Sequence, residues 1–339
     1  MKELLKKLCL INGVSGDENK VREAIVDMIK DHCEYHVDNL GNLICFCKGT
    51  LRSDKKLMIC AHMDEVGAIV TYIRDDGALC FGEVGGIDPM VLIGRQVTVG
   101  ENNLNGVIGS TAVHNLSKEE RETSPKIGNM YIDVGASSKE EAEKFVSLGD
   151  CVYFDSEFIE LGEKCIKSKA IDDRAGCALM IRLILEKPKY DTYFVFNVQE
   201  EIGLRGSRVS AFSVAPDFAV VLEATTAADI DGVSGAKRVC ELGGGPVVGF
   251  MDRSTVYDKE LYRLAFDTAN ELDIPCQTKT MIAGGNDSGA IHVSGRGVRT
   301  IAVSLPCRYL HSPSCVINSE DLDNTLILVR KLAERIQEL

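Results

Sequence analysis

The stretch Tyr193-Phe-Val-Phe-Asn-Val-Gln-Glu-Glu-Ile-Gly-Leu-Arg-Gly206 joins a short apolar run to two consecutive carboxylates, Glu200 and Glu201. A continuous apolar run of this length, followed by a polar turn, predicts a β-strand that is buried on both faces. Adjacent side chains at a strand end point in different directions, so one glutamate can bind a metal ion while its neighbour moves protons. For such a pair taken alone, an exposed acidic turn is the alternative, because charged residues are mostly solvated.

Length and composition describe a chain of 339 residues, 45% hydrophobic and 26% charged, which has room for a large core and two domains. A net charge of −13 and a pI near 5.0 argue against nucleic acid or an anionic membrane as a partner, since no basic face is evident. Residues 1–10 have the pattern of an amphipathic helix and not of a signal peptide, so the cytoplasm is the expected location. The thirteen scattered cysteines are expected to be reduced packing residues.

The order of apolar runs predicts an α/β fold that is interrupted by an insert. Between residues 66 and 165 short apolar pieces alternate with turns, which is typical of a small β-rich domain. The flanking parts, residues 1–65 and 166–339, are then one discontinuous α/β domain. Its predicted strands and helices cover residues 56–61, 174–186, 193–198, 218–222, 259–272, 298–305 and 321–337.

Two local signals lie near the N-terminus. Ser15 is followed three residues later by Glu18, a spacing that predicts a capping box at the start of a helix. Apolar residues at 35–37 and 43–46 flank Asn39-Leu-Gly-Asn42, which has the turn chemistry of a β-hairpin.

Side chains of the kinds that bind metals follow several predicted strands. Ligands bind at the carboxyl edge of an open α/β sheet, because the loops converge there. Taken singly, His62 would more often be a hydrogen-bonded histidine and Asp172 a helix cap, but the joint pattern favours a metal site. His32, His36, His114 and His292 are predicted to be structural or surface residues. The candidates at this edge are His62, Asp172, Asp173, Glu200, Glu201, Glu223 and His311.

Several spaced motifs resemble those of the M42 family of metallo-aminopeptidases, the tetrahedral or glutamyl aminopeptidases formerly named endoglucanases. The resemblance implies a three-layer α/β/α metallopeptidase domain with an inserted small β-barrel-like domain. It also implies that the insert, residues 66–165, pairs subunits into dimers that assemble to a dodecamer. The motifs are Ala61-His-Met-Asp-Glu-Val-Gly67, Ala170-Ile-Asp-Asp-Arg174, Val198-Gln-Glu-Glu-Ile-Gly-Leu-Arg-Gly206, Gly284-Gly-Asn-Asp287 and Arg308-Tyr-Leu-His-Ser-Pro313.

The same resemblance implies two divalent metal ions per subunit. Asp172 would bridge them, with a non-proline cis peptide to the next residue. His62 and Glu223 would complete one site, and Glu201 and His311 the other. Mixed imidazole and carboxylate ligands suit Zn or Co, with Mn possible, better than Mg.

The implied catalytic residues are Glu200 and Asp64. Glu200 would be the general base that activates a metal-bridging water, and Asp64 would orient the imidazole of His62. Two divalent cations carry four positive charges and three carboxylate ligands remove three, which leaves about one to stabilise a hydroxide nucleophile. The implied reaction is hydrolysis of the N-terminal residue from a peptide with a free amino terminus.

Two positions depart from the family pattern. Glu223 stands where the family has Asp, and the added methylene lengthens the ligand arm by about 1.5 Å. Asn286 stands where the family more usually has Thr, which is expected to affect loop hydrogen bonding. Three alternatives remain open: a related metal-dependent carboxypeptidase or deacylase, a glycoside hydrolase with two carboxylates, and a non-catalytic assembly protein. The preferred N-terminal residue does not follow from the sequence.

Overall fold

The computed structural model describes the backbone of residues 1–339 and every side chain except that of residue 120. The strands are β1 (Glu34–Val37), β2 (Leu43–Cys47), β3 (Leu57–His62), β4 (Gly67–Ile73), β5 (Leu79–Val84), β6 (Gln96–Val99), β7 (Leu104–Ser110), β8 (Met130–Asp133), β9 (Cys151–Phe154), β10 (Ile159–Leu161), β11 (Cys165–Ser168), β12 (Thr192–Asn197), β13 (Phe218–Thr226), β14 (Val247–Val248), β15 (Gln277–Thr278), β16 (Arg299–Cys307) and β17 (Cys315–Asn318). The α-helices are α1 (Lys2–Cys9), α2 (Asn19–Ile29), α3 (Lys118–Arg121), α4 (Lys139–Ala142), α5 (Ile171–Glu186), α6 (Arg205–Val214), α7 (Lys259–Glu271), α8 (Ser288–Ile291) and α9 (Ser319–Glu338). Short 3-10 helices cover Pro89–Val91, Val113–Asn115, Ile127–Asn129 and Gly235–Arg238.

An eight-stranded mixed sheet forms the centre of the larger part of the molecule. Its strand order is β1-β2-β12-β3-β13-β16-β14-β15, and the four strands from β12 to β16 run parallel. Every residue of β3 is buried, as expected for a strand covered on both faces. The predicted hairpin is confirmed, since β1 pairs antiparallel with β2.

Helices cover both faces of this sheet. α5 packs on β3 and β13 and is itself contacted by α1, α2 and α9. α6 and α8 pack against each other and against β12, β13 and β16 on the opposite face. The helices and the sheet share one large apolar core. The predicted α/β fold is thereby confirmed.

The insert is a closed six-stranded barrel, with the strand order β4-β5-β8-β7-β6-β9. Its strands lie between Gly67 and Phe154, and its interior is a separate apolar cluster that includes Leu79 and Ile132. Alternating side chains explain why the sequence shows short apolar pieces here and not continuous runs, because strands such as β5, β6 and β8 bury one face only. A third sheet, β10-β11-β17, joins the chain that leaves the barrel to the C-terminal part of the molecule.

Polar contacts hold the barrel to the larger part. The hydroxyl of Tyr153 on β9 donates a hydrogen bond to Asp17 in the turn before α2. The backbone of Val14 forms a parallel bridge with Glu65, just before the first barrel strand. The turn between α1 and α2 therefore lies between the barrel and the main sheet.

The capping box predicted from Ser15 and Glu18 is wrong. α2 begins at Asn19, and neither side chain caps it. Ser15 instead donates to Asp64, and Glu18 accepts from the backbone N–H groups of Gly16 and Gln199. Ser15 and Glu18 thus form hydrogen bonds with Asp64 and Gln199, which are distant in sequence, and do not form the local pair that the spacing predicts.

All thirteen cysteines are free, and most of them are buried, as predicted for packing residues. Among the residues that the structure describes, no helix combines the length and the apolar character that a membrane span requires.

Candidate metal centre

The strand register of the main sheet brings His62 and Glu223 together. β13 pairs in parallel with β3 through Val221 and Cys60, and two further residues along that register place Glu223 beside His62. Glu223 was expected to follow a strand that ends at residue 222, but β13 continues to Thr226. The ligand therefore projects from inside a strand, where its backbone is held on one side by β16.

Two groups of candidate ligands share the carboxylate of Asp172. In the first group, Nε2 of His62 lies 3.3 Å from Oδ1 of Asp172 and 3.2 Å from Oε1 of Glu223. In the second, Nε2 of His311 lies 3.4 Å from Oδ2 of Asp172 and 3.5 Å from Oε2 of Glu201. One oxygen of Asp172 thus faces each group.

The donor set and its spacing fit a divalent cation in each group. Ligand atoms about 2.1 Å from a shared tetrahedral centre are about 3.4 Å from each other, which matches the observed separations. Oε2 of Glu223 is buried and accepts no hydrogen bond from the described residues. A buried carboxylate oxygen of this kind needs a positive partner.

The electrostatics of the cluster point the same way. Burial raises the pKa of Glu200 well above its ordinary range. The negative charges of Asp287, Glu201 and Asp64 raise this pKa further. Burial is also the main reason why the pKa of Glu201 is raised to about 7. The charge of His311 lowers this pKa, and the charge of Asp172 raises it. Nearby cations would counter both effects, because opposite charge favours the ionised form. The edge is therefore an attractive place for positive charge.

Asp64 does more than contact the ring of His62. Its Oδ1 lies 3.4 Å from Nδ1 of His62, and its backbone carbonyl lies 3.1 Å from the same nitrogen. Its two carboxylate oxygens also accept hydrogen bonds from the backbone N–H groups of Glu200 and Glu201, and Ser15 donates to one of them. Asp64 therefore holds a candidate ligand and the turn that carries both glutamates.

α5 begins with an unusual backbone conformation. The peptide bond between Asp172 and Asp173 is cis, and both residues have non-helical dihedral angles. Oδ1 of Asp173 accepts from the N–H of Gly176, so the capping role considered for Asp172 falls to its neighbour. Asp172 is left free to face the two histidines.

A buried ion cluster beside the site was not identified from the sequence. Nζ of Lys169 lies 2.6 and 2.8 Å from the two carboxylate oxygens of Glu65, and both side chains are buried. The fully buried guanidinium of Arg174 donates to the carbonyls of Met63 and Leu8. The only available signal was that Glu65 and Arg174 lie inside the quoted motifs and that Lys169 directly precedes one of them. The cluster ties α1 to the segments on either side of the site.

The barrel supplies one wall of the site. A Cβ atom on Gly85 would lie 3.3 Å from Cβ of Glu201, and one on Gly86 would lie 3.8 Å from Nδ1 of His311. Gly85 has a φ of +83°, which side-chain-bearing residues rarely adopt. The loop after β5 therefore approaches Glu201 this closely because Gly85 has no side chain, whereas a Cβ on Gly86 would make an ordinary van der Waals contact with His311.

The remaining sequence candidates lie around this centre or away from it. Asn286 accepts from the N–H of Ser288 and donates to the hydroxyl of Tyr257, so it supports the loop beside the site. Asp287 is buried and accepts from Asn197. Among the described side chains, the other four histidines belong to neither ligand group.

Comparison with known proteins gives a consistent result. A family model described as M42 glutamyl aminopeptidase matches residues 41–328. The chain is 35% identical over 347 residues to the lysyl aminopeptidase of Pyrococcus furiosus, which covers 99% of this chain and 98% of that protein. It is 30% identical over 328 residues to the glutamyl aminopeptidase of Lactococcus lactis, with 94% and 91% covered. The solved TET1 peptidase of Pyrococcus horikoshii superposes with a TM-score of 0.86 at 35% identity, covering 98% of each chain.

Replacing Lys169 by Met should destabilise the fold strongly. The carboxylate of Glu65 would lose the ammonium group that it contacts through both oxygens, at a cost of about 3 kcal/mol in the free energy of unfolding. Denaturant unfolding measures this quantity. Lys164→Met is the matched control, because Lys164 pairs with Glu320 at the surface and its loss should leave unfolding unchanged. Equal behaviour of the two variants would contradict the structural role of the buried pair.

Proposed function

The chain belongs to the M42 family of metal-dependent aminopeptidases and is a peptide hydrolase, and from this premise we propose that it removes N-terminal residues from peptides at a two-metal centre. The observation that carries the proposal is the pair of ligand groups that share Asp172. His62 and Glu223 would hold one cation together with Asp172, and Glu201 and His311 the other. The buried, unpartnered oxygen of Glu223 supports the assignment of its group.

The chemistry divides between the cations and the protein. When bound, two divalent cations polarise a peptide carbonyl and lower the pKa of the attacking water. Glu200 accepts the proton of that water on its carboxylate and passes it to the nitrogen of the leaving amine. The backbone contact from Glu200 to Asp64 keeps this carboxylate at the edge where the ligands converge.

We propose a peptide with a free amino terminus as the substrate, because the relatives of this chain are named aminopeptidases. The two aminopeptidase relatives are named for residues of opposite charge, lysine and glutamate. Their names therefore do not indicate which N-terminal residue this chain prefers.

The added methylene of Glu223 does not prevent the first ligand group from forming. Its Oε1 reaches to 3.2 Å from Nε2 of His62, the shortest of the four separations within the two groups. Imidazole and carboxylate donors favour Zn or Co, with Mn as a further candidate.

We further propose that residues 66–165 form an assembly domain and that residues 1–65 and 166–339 form the catalytic domain. The barrel exposes large apolar side chains, among them Phe145 and Leu148, which are 54% and 64% exposed. The related TET1 peptidase can assemble into a tetrahedron, and closed tetrahedral symmetry relates twelve copies of one chain. A dodecamer built from dimers is the assembly that we propose here.

Glu200→Gln should lower kcat/KM for an N-terminal aminoacyl reporter by about 100- to 10,000-fold, because the amide cannot accept the proton. Metal content, measured by elemental analysis, should stay at the wild-type value. Glu143→Gln, an exposed change in the barrel, serves as the control and should leave both quantities unchanged. Retained activity in Glu200→Gln would remove Glu200 from the role of base.

Chelator treatment followed by stepwise addition of Zn, Co or Mn should restore activity at two ions per chain. Glu223→Ala and His311→Ala should each reduce binding to one ion, and Asp172→Ala should weaken both sites. His36→Ala, an exposed histidine, is the control. Cleavage of an N-acetylated peptide at the same rate would favour a carboxypeptidase or deacylase, and cellulose hydrolysis that resists chelation would favour a glycoside hydrolase.

Light scattering should give a mass twelve times that of the 37.0 kDa chain. Phe145→Glu combined with Leu148→Glu should lower this mass, because a charge on an apolar contact surface opposes association. A single cooperative unfolding transition would show that the variant is folded. A monomeric wild-type protein would contradict the assembly proposal.

A further inference from the structure

Four consecutive backbone N–H groups at the end of β12 are each bound by a side-chain oxygen. The last strand residue is Asn197, so the residues that follow have no sheet partner for these donors. The bonds run from Val198 to Oδ1 of Asn42 (3.0 Å), from Gln199 to Oε1 of Glu18 (3.1 Å), from Glu200 to Oδ1 of Asp64 (3.0 Å) and from Glu201 to Oδ2 of Asp64 (3.1 Å). We call Asn42, Glu18 and Asp64 the amide clamp.

The clamp holds a conformation that the backbone does not favour by itself. Gln199 has a φ of +55°, in the left-handed region that is unfavourable for a residue with a side chain. This bend turns the chain away from β12, and Glu200 and Glu201 follow it directly. Backbone N–H groups that are removed at least partly from water need acceptors, so the oxygens of the clamp favour this turn over a more extended one.

Glu18 is the member of the clamp that acts only through the backbone. Its side chain is 4% exposed, and its Oε1 also accepts from the N–H of Gly16, 2.8 Å away. Among the described contacts, Glu18 belongs to neither ligand group, whereas Asp64 also lies against the ring of His62. The contact with Gln199 is therefore the direct route from Glu18 to Glu200, whereas its contact with Gly16 leads through Ser15 to Asp64.

We propose that Glu18 is a positioning residue that fixes the Gln199 turn and so places the carboxylate of Glu200 for proton transfer. The inference rests on the proposed role of Glu200 as the base. A displacement of about 1 Å in a reacting group can lower a rate about 100-fold. Loss of the acceptor on Glu18 should therefore reduce turnover more than it reduces substrate binding.

The test compares Glu18→Ala, Glu18→Gln and Glu18→Asp in the metal-loaded full chain. Glu18→Ala removes the acceptor and should lower kcat at least about tenfold, with KM changed less than about threefold. Glu18→Gln keeps an acceptor oxygen of the same reach and should recover most of kcat. Glu18→Asp keeps the carboxyl group but ends about 1.5 Å short, so it should resemble the alanine variant.

Asp217→Ala is the matched control for a merely structural effect. Oδ2 of Asp217 accepts from the N–H of Lys56 at the opposite end of the same sheet, 2.9 Å away. This variant also loses a carboxylate that binds a backbone N–H, but its kcat should equal that of the wild type. A Glu18→Ala variant that matches Asp217→Ala in kcat overturns the proposal, and so does a Glu18→Gln variant as impaired as Glu18→Ala.

Hydrogen exchange of the segment 193–206, followed by mass spectrometry without added metal, tests the clamp without using activity. Glu18→Ala should speed exchange at the Gln199 amide about tenfold, because that N–H loses its acceptor. Unchanged exchange overturns the inference. If the wild type does not cleave peptides while exchange at Gln199 responds as expected, the proposed function fails and the clamp on the turn stands.

Discussion

The burial of negative charge at one edge of the main sheet is the constraint on which the rest of the structure depends. Asp64, Asp172 and Glu223 are all at least nine-tenths buried, and Glu200 and Glu201 lie beside them. Carboxylates in such surroundings are costly unless hydrogen bonds or positive charges compensate them. The histidines, the backbone N–H groups and the proposed cations each compensate part of this buried negative charge. The chemistry of the site and the stability of the fold are therefore linked through the same few groups.

The scaffold meets this constraint with segments that are far apart in the chain. His62 and Asp172, which are in contact, are 110 residues apart in sequence. The parallel register of β3, β12 and β13 brings the ends of these strands to one edge, and the start of α5 adds Asp172. Lys169 and Arg174 then tie the segment that bears Asp172 to Glu65 and to α1. The barrel completes the wall through the glycines that follow β5.

Comparison of the predicted with the observed elements shows which signals are reliable. The strand predicted at 193–198 is found at Thr192–Asn197, because a continuous apolar run reports burial on both faces. The strand predicted at 218–222 extends to Thr226, since Glu223 looked like a terminator but remains paired with β16. The spacing of Ser15 and Glu18 suggested a local cap, yet Glu18 reaches Gln199, 181 residues away. Local patterns describe burial and period, and they say little about polar side chains whose partners are remote.

The sequence by itself determined the fold class, the presence of a β-rich insert and the residue types that gather at the sheet edge. Those properties follow from residues that are close together in the sequence, through the periodic spacing of apolar residues and through motifs of fixed spacing. Only the tertiary structure decided that the two oxygens of Asp172 face different histidines, that Asp64 holds the turn of both glutamates, and that Glu18 serves that turn instead of a helix. These contacts depend on strand register, on the left-handed bend at Gln199 and on the need of buried donors for acceptors. None of these three features produces a periodic pattern in the local sequence.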